Sequence, residues 1–201
     1  MSPRKFTPAV AAVVIALAVG GAIPAARASV DGDFAKGSDI AICGGNSLST
    51  TDAQGAPLDP EALNLARSQV QNLCDAGVGS AITFEQYLQA IDDSQQFTSY
   101  ANVVAQINSS PGRMGISAYA NSIPRDGKTK ELSCIYRMQP VAGPSTSWQG
   151  CGTDGPSTTS SYLTTRGNDF CPVKGTRWEA IADLYVNGSL KESDGDIKVA
   201  L

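Results

Sequence analysis

No histidine occurs among the 201 residues. Ser-His-Asp and Cys-His nucleophiles, imidazole-built zinc sites and histidine acid–base chemistry are therefore closed to this chain, which leaves carboxylate, thiol and aromatic chemistry. Two acids flanking a cleft can hydrolyse a glycoside, but the sequence selects no such pair. Asp92 and Asp93 adjoin at the end of a helical pattern, and Glu85 and Glu131 are single acids without a sequence partner. No S-x-x-K beside a suitable partner motif supports a Ser–Lys dyad. The D-x-D pairs Asp31–Asp33, with Asp39 nearby, and Asp194–Asp196 offer oxygen ligands. Neither continues in the register of a full calcium loop, so no metal and no cofactor is expected.

Five cysteines, Cys43, Cys74, Cys134, Cys151 and Cys171, follow the N-terminal apolar run. In an oxidising compartment an odd number leaves at least one thiol over. Cys43 and Cys74 are the only two in the first half and are expected to pair. Cys151 and Cys171 lie in "QGCGTDG" and "GNDFCPV", stretches that suit a loop-to-loop bridge. That leaves Cys134, in the middle of an alternating strand pattern, as a free, buried thiol. The rival pairing is Cys134–Cys151 across a hairpin.

The aromatic residues Tyr119, Tyr136, Trp148, Tyr162, Trp178 and Tyr185 all fall in the second half. Trp178 shares its strand face with Ala180, Ala182 and Leu184 and should be buried. Tyr185 stands beside Asp183 on the polar face, and Trp148 lies between "TS" and "QG". These two are the expected exposed anchors, since an amphipathic ring can stack on a sugar or a peptide.

The elements that must carry these groups begin with a secretory signal. Arg4 and Lys5 precede the apolar stretch "AVAAVVIALAVGGAI", and "AARA" precedes Ser29. This is the layout of a removable signal peptide over residues 1–28. The apolar run is shorter than a spanning helix needs, so no membrane span is expected after cleavage. The protein should be secreted and extracellular, or associated with the cell envelope. The chain is acidic, with a formal net charge of −4, and grows more so once Arg4, Lys5 and Arg27 leave with the signal. An acidic chain without basic clusters is not built for nucleic acid.

Residues 29–110 are expected to form a small helical part fastened by Cys43–Cys74. "DPEALNLARSQVQNLCDAG" opens on Asp59 as N-cap with Pro60 at the first helical position, carries Leu63, Ala66, Val70 and Leu73 as a stripe, and closes at Gly77. "TFEQYLQAIDD" offers Thr83 and Gln86 as a capping box, with Phe84, Tyr87, Leu88 and Ile91 at helical spacing. A third helical stripe runs through Phe97, Tyr100, Val104 and Ile107.

From residue 111 to 201 the period falls to two. "ELSCIYRMQ" alternates, with Leu132, Cys134, Tyr136 and Met138 on one face and Glu131, Ser133, Ile135 and Arg137 on the other. Short strands separated by turn residues point to an antiparallel β-sandwich-like part, so the fold class is α+β. Within "WEAIADLYVNGSLKE", Asn187-Gly188-Ser189 is read as a hairpin turn and not as a glycan acceptor. A two-residue turn would set Asp183 against Glu192. A three-residue loop over Val186–Gly188 sets Leu184 against Leu190 and Asp183 against Lys191, and is the expected register.

Cys134, Trp148 and Cys171 follow the order of the two cysteines and tryptophan of an immunoglobulin domain. The cysteines stand too close together, and Asp169 occupies the place of the expected tyrosine, so the family is excluded and only the two-sheet expectation is kept. The functional expectation is an exported, non-catalytic binding or interaction module whose partner is an extracellular polysaccharide or protein. The alternatives are a carboxylate-dependent hydrolase of envelope or host polymers, or a secreted inhibitor presenting "CGTDGPSTTSS".

Overall fold

The computed structural model describes residues 38–95 and 99–201. The signal sequence, Asp31, Asp33 and Phe97 lie outside the described residues. The described chain is mostly β, with two sheets and two short helices. Strands β1 (Asp39–Cys43) and β2 (Asn46–Asp52) precede helices α1 (Pro60–Asp75) and α2 (Phe84–Gln95). They are followed by β3 (Asn102–Ser110), β4 (Arg113–Asn121), β5 (Lys130–Gln139), β6 (Trp148–Ser157), β7 (Tyr162–Thr164), β8 (Asn168–Phe170), β9 (Arg177–Val186) and β10 (Ser189–Val199). The larger sheet runs β1-β2-β6-β5-β9-β10, with β2 parallel to β6; the smaller runs β3-β4-β7, and β8 also pairs with β4.

The local signals in both helices operate as their chemistry requires. Asp59 accepts the Ala62 N–H at 2.8 Å, satisfying one of the orphan donors of the first turn of α1. Thr83 and Gln86 bond reciprocally, Thr83 N to Gln86 Oε1 at 2.7 Å and Gln86 N to Thr83 Oγ1 at 3.2 Å, the two halves of a capping box. Both helices lie in the expected N-terminal part, but strands flank them. The third stripe is not helical: residues 102–110 form β3, whose buried residues are Val103, Ala105 and Ile107, alternating as a strand requires. Tyr100, Val104 and Ile107 fit helical spacing by coincidence, and pairing with β4 decides the outcome.

The larger sheet is covered on both faces. One face shares a core with the smaller sheet, where Leu132, Tyr136, Met138, Trp178, Ala180, Ala182 and Leu184 meet Ile107, Met114, Ile116 and Leu163. The other face packs under the helices, where Leu48, Ile135, Trp148 and Ile181 meet Ala66, Val70, Leu73, Phe84 and Tyr87. A strand buried on both sides cannot show a clean polar face to water. This is why Ile135 and Ile181 interrupt the polar faces of β5 and β9.

The disulfides are Cys43–Cys74, with Cα atoms 5.9 Å apart, and Cys134–Cys151, at 5.1 Å. The second replaces the expected Cys151–Cys171 bridge, and the free, exposed cysteine is Cys171 instead of Cys134. The cause lies in the β5–β6 ladder. Cys134 pairs with Gly152 and Ile135 with Gly150, so Cys151 is an extra residue in a bulge. That extra residue turns into the same core face as Cys134.

The β9–β10 hairpin also departs from the expected register. Val186 faces Ser189 across a two-residue turn, with Asn187 at φ 51° and Gly188 at φ 76°, the left-handed pair such a turn demands. The clash foreseen between Asp183 and Glu192 is avoided by a bulge. Leu190 pairs with Tyr185 and Glu192 with Leu184, leaving Lys191 extra, so Asp183 faces Ser193.

Candidate functional site

Neither expected anchor is exposed. Trp148 is 0% exposed; its ring meets Phe84 at 5.7 Å, and the Arg137 guanidinium stacks 4.7 Å above it, a cation held over an aromatic face. Arg137 is fixed there by an ion pair with Glu179 at 2.6 Å. Tyr185 is 4% exposed because the face it shares with Asp183 lies beneath the helices. Its hydroxyl donates to Asp183 Oδ2 at 3.4 Å. Ser193 donates to Asp183 Oδ1, and Ser133 donates to Gln69 Oε1 at 2.8 Å. Burial pushes the Asp183 carboxyl up to about 6, against the opposing pull of donors on Ser193, Tyr185, Asn72 and Gln69, because a dry site disfavours the charged form. The Asn72 amide nitrogen has no partner in good hydrogen-bond geometry, yet it lies close enough to favour the charged form of Asp183. The expected polar face is thus a buried polar cluster that locks the helices to the sheet.

Four of the carboxylates singled out in the sequence, Glu85, Asp93, Asp194 and Asp196, are held in structural work. Glu85 pairs with Arg177, and Asp93 accepts from Gln89 at 3.0 Å. Asp194 Oδ2 accepts the Ala105 N–H at 2.8 Å, and Asp196 Oδ2 accepts the Ile107 N–H at 2.9 Å. Burial, with Asp92 and Asp196 nearby, raises the Asp194 carboxyl above its ordinary range. Among the described residues no group of three potential ligands gathers to hold a metal ion. The stretch "CGTDGPSTTSS" is not a free loop, because its first seven residues belong to β6, where Gly152, Thr153, Asp154 and Ser157 pair with β5.

Exposed aromatic chemistry lies elsewhere, on the outward face of the smaller sheet. Leu163 points into the core, so by alternation its neighbours Tyr162 and Thr164 face solvent, as do Ser117, Tyr119 and Asn121 of β4. Tyr162 is 51% exposed, and its ring stacks on Tyr119 with centroids 6.5 Å apart and planes 23° from parallel. Asn121 pairs with Tyr162 and Asn102, while Tyr119 pairs with Thr164 and Val104. Two tyrosines therefore sit on this sheet face beside the side chains of Asn102, Val104, Asn121 and Thr164.

Thr164 carries this face into a cleft of about 410 Å³ where the two sheets meet. Asp52, Gln54, Asp154, Arg166 and Asn168 give it polar walls, and Pro57, Leu58 and Ala62 an apolar one. Gln54 Nε2 donates to Asn168 Oδ1 at 2.7 Å. Asp52 Oδ1 accepts the N–H groups of Gln54 and Ala56, and Asp154 Oδ2 accepts the Thr164 N–H at 2.7 Å. The Arg166 guanidinium is exposed and has no partner among the described residues. The cleft thus offers planar donors and acceptors beside an apolar wall.

Tyr119 and Tyr162 stand out in the sequence only as members of an aromatic set. Their signal is strand parity: each alternates with small or apolar core residues, Ala118 and Ala120 in one case and Leu163 in the other. The cleft has no such signal, because its walls come from residues far apart in the chain, joined by the parallel β2–β6 pairing and by the Gln54–Asn168 and Thr164–Asp154 bonds.

No protein-family model matches the chain, and comparison with curated proteins gives no match. Among solved structures, R. palustris CsgH matches with a TM-score of 0.34 and 14% identity, covering 47% of this chain and 89% of that one. The E. coli curli protein CsgC matches with a TM-score of 0.33 and 9% identity, over 47% of this chain and 96% of that one. Spo0M, a sporulation control protein from Bacillus subtilis, matches with a TM-score of 0.29 and 12% identity, over 51% of this chain and 50% of that one. These likenesses reach about half of this chain at low identity.

Proposed function

We propose that this protein is an exported, non-catalytic binding module that holds an extended saccharide across Tyr119 and Tyr162, with one end in the cleft beside Thr164. On this reading the two sheets form a β-sandwich-like pair and the outer face of the smaller one is the binding surface. The observation that carries it is the stacked tyrosine pair, Tyr162 half exposed and Tyr119 partly buried, on a mainly polar sheet face. The C–H face of a sugar ring is apolar and stacks on an aromatic ring, while its hydroxyls need donors and acceptors together. Asn102, Asn121, Gln54, Asn168, Asp154 and Arg166 supply both. Two disulfides and the signal-like N-terminus support work outside the cytoplasm, in the envelope or beyond it. The test is co-sedimentation of the protein with insoluble polysaccharides and isolated cell envelope, with soluble sugars as competitors. Pelleting reversed by sugar supports the reading; protein left wholly in the supernatant ends it.

A hydrolase is the second reading, since Asp52 and Asp154 line one cleft. Both carboxylates are already engaged as acceptors by backbone N–H groups, which ties them to shaping the turn and the strand edge. Release of reducing ends from a soluble polysaccharide, abolished in Asp52→Asn or Asp154→Asn, would establish hydrolysis instead of binding. No turnover is expected.

A further inference from the structure

Asn168 is almost wholly buried in the wall of the cleft, with half of its side-chain amide unused. It is 8% exposed and lines the cleft together with Gln54. Its oxygen accepts Gln54 Nε2 at 2.7 Å, while its nitrogen has no partner among the described residues. The sealed side-chain nitrogens without partners are those of Asn72, Trp148 and Arg177. The Asn168 nitrogen is therefore still reachable, and what it opens onto is the cleft. An amide so confined has few routes to water, and a ligand acceptor placed there restores the missing bond. Gln54 is exposed and leaves its own oxygen free. Exchanging oxygen and nitrogen on both side chains reverses the bond between them and still leaves one donor and one acceptor unused. These two free groups do not bond each other. They stand apart, as the opposed N–H and C=O of a trans amide require.

Both side chains are held before any ligand arrives. Asp52 Oδ1 accepts the Gln54 and Ala56 N–H groups, and the Asp52 N–H donates to the Ala56 carbonyl at 2.8 Å, which fixes the turn carrying Gln54. Asn168 is fixed by pairing with Ile116 of β4. The apolar wall is seated as firmly. A Cβ on Gly150 would come within 3.0 Å of the Leu58 side chain, so the bare glycine makes room for it.

We propose that the cleft takes an N-acetylamino sugar, its acetamido N–H on Gln54, its acetamido oxygen on Asn168 and its methyl group on Pro57 and Leu58. This sugar is the cleft end of the extended saccharide proposed above, so the assignment stands on that reading. An acetamido group needs one acceptor, one donor and one apolar surface. A hydroxyl at the same carbon leaves the apolar wall and one of the amides unmet. Charge opposes a carboxylated sugar, because Asp52, Asp59 and Asp154 outnumber Arg166 in the cleft. A peptide amide carries the same N–H and C=O, but the stacked Tyr119 and Tyr162, which Thr164 joins to the cleft, favour a sugar ring.

The test is co-sedimentation with chitin and with cellulose, two insoluble β-linked polymers that differ in the acetamido group. Wild type is expected to bind chitin about tenfold more tightly, and soluble N-acetylglucosamine oligomers are expected to release it where glucose oligomers do not. Asn168→Asp keeps the size and the oxygen that Gln54 bonds but removes the donor. Gln54→Ala, at an exposed position, removes the acceptor and serves alone if the first variant does not fold. Each is expected to bring chitin binding down to the cellulose level and leave cellulose binding unchanged. Equal wild-type binding to both polymers overturns the assignment, as does a chitin preference that survives the folded variants; either result leaves the saccharide reading standing. Deacetylated chitin binding as tightly as chitin overturns it too and assigns recognition to Asp52 and Asp154. Competition by a capped dipeptide as strong as by the N-acetylated sugar overturns it in favour of a peptide. Pelleting with no polymer and not with cell envelope ends both readings.

Discussion

Asp183→Asn is expected to change the pH dependence of stability more than stability itself. Asp183 is 1% exposed, between β9 and the helices, and burial raises its carboxyl from 3.8 to about 6 in the folded protein. The folded state therefore binds this proton more tightly than the unfolded chain does. Stability from this group is full below about 3.8, the unfolded value, and is lost as pH climbs through about 6, as proton linkage requires. Each pH unit between the two values is worth about 1.36 kcal/mol, so ionising Asp183 costs the folded state about 3 kcal/mol by pH 8. Asparagine does not ionise, and its oxygen can still accept from Ser193. Urea unfolding of wild type and variant, measured at intervals from pH 4 to 8, isolates the effect, because every other titrating group cancels in the difference. The difference should move by about 3 kcal/mol in favour of the variant as pH rises. A difference that stays constant, or wild type gaining on the variant with rising pH, would refute the placement of an ionisable carboxyl in a dry helix–sheet interface.

Gly155→Ala is expected to destabilise by about 3 kcal/mol or more, seen as a lower urea midpoint with unchanged m value. At φ 117° an added Cβ would lie 2.6 Å from the Lys130 carbonyl oxygen of the paired strand, so both the backbone conformation and the space oppose it. Cys171 should react with one equivalent of a maleimide in the native, unreduced protein, and Cys171→Ser should abolish the reaction. Labelling that instead needs denaturant would place the spare thiol at a buried position such as Cys134, which is 1% exposed, since reactivity requires access. Replacing both Cys134 and Cys151 by alanine removes a bridge of sequence separation 17. The loss is expected to cost about 3 kcal/mol in the same unfolding assay.

The helices were legible because their signals are local. Asp59-Pro60 and the Thr83–Gln86 box act within a single helical turn, and the bonds they imply form. The core face of β5 and β9 was legible for a similar reason: Leu132, Cys134, Tyr136 and Met138, with Trp178, Ala180, Ala182 and Leu184, keep strict parity. Parity says which residues share a face but not what covers the other face. Tyr185 and Asp183 read as solvent-facing, and helices folded from residues far upstream bury them. Trp148, polar-flanked in sequence, is covered by Phe84 from the distant α2 and by Arg137 from the neighbouring strand β5. In the β9–β10 hairpin the like-charge conflict was real, but the chain resolves it through a bulge at Lys191 and not through a longer turn. Bulges shift register without a strong sequence mark, and the same kind of event decided which cysteine Cys151 meets. The candidate site was legible only as a set of aromatics, because whether Tyr162 or Trp148 reaches solvent depends on which sheet lacks a second covering layer.

The measurement closest to the functional claim is co-sedimentation of wild type and Tyr162→Ala with isolated cell envelope and insoluble polysaccharide, scored as bound fraction over a range of protein concentrations. Tyr162 is half exposed and lies outside both core clusters, so its loss should leave the fold and its unfolding midpoint unchanged. Saccharide stacking predicts pelleting by wild type, reversal by soluble sugar, and roughly tenfold weaker binding in the variant, about 1.4 kcal/mol. Equal pelleting of wild type and variant, or none by either, would contradict it.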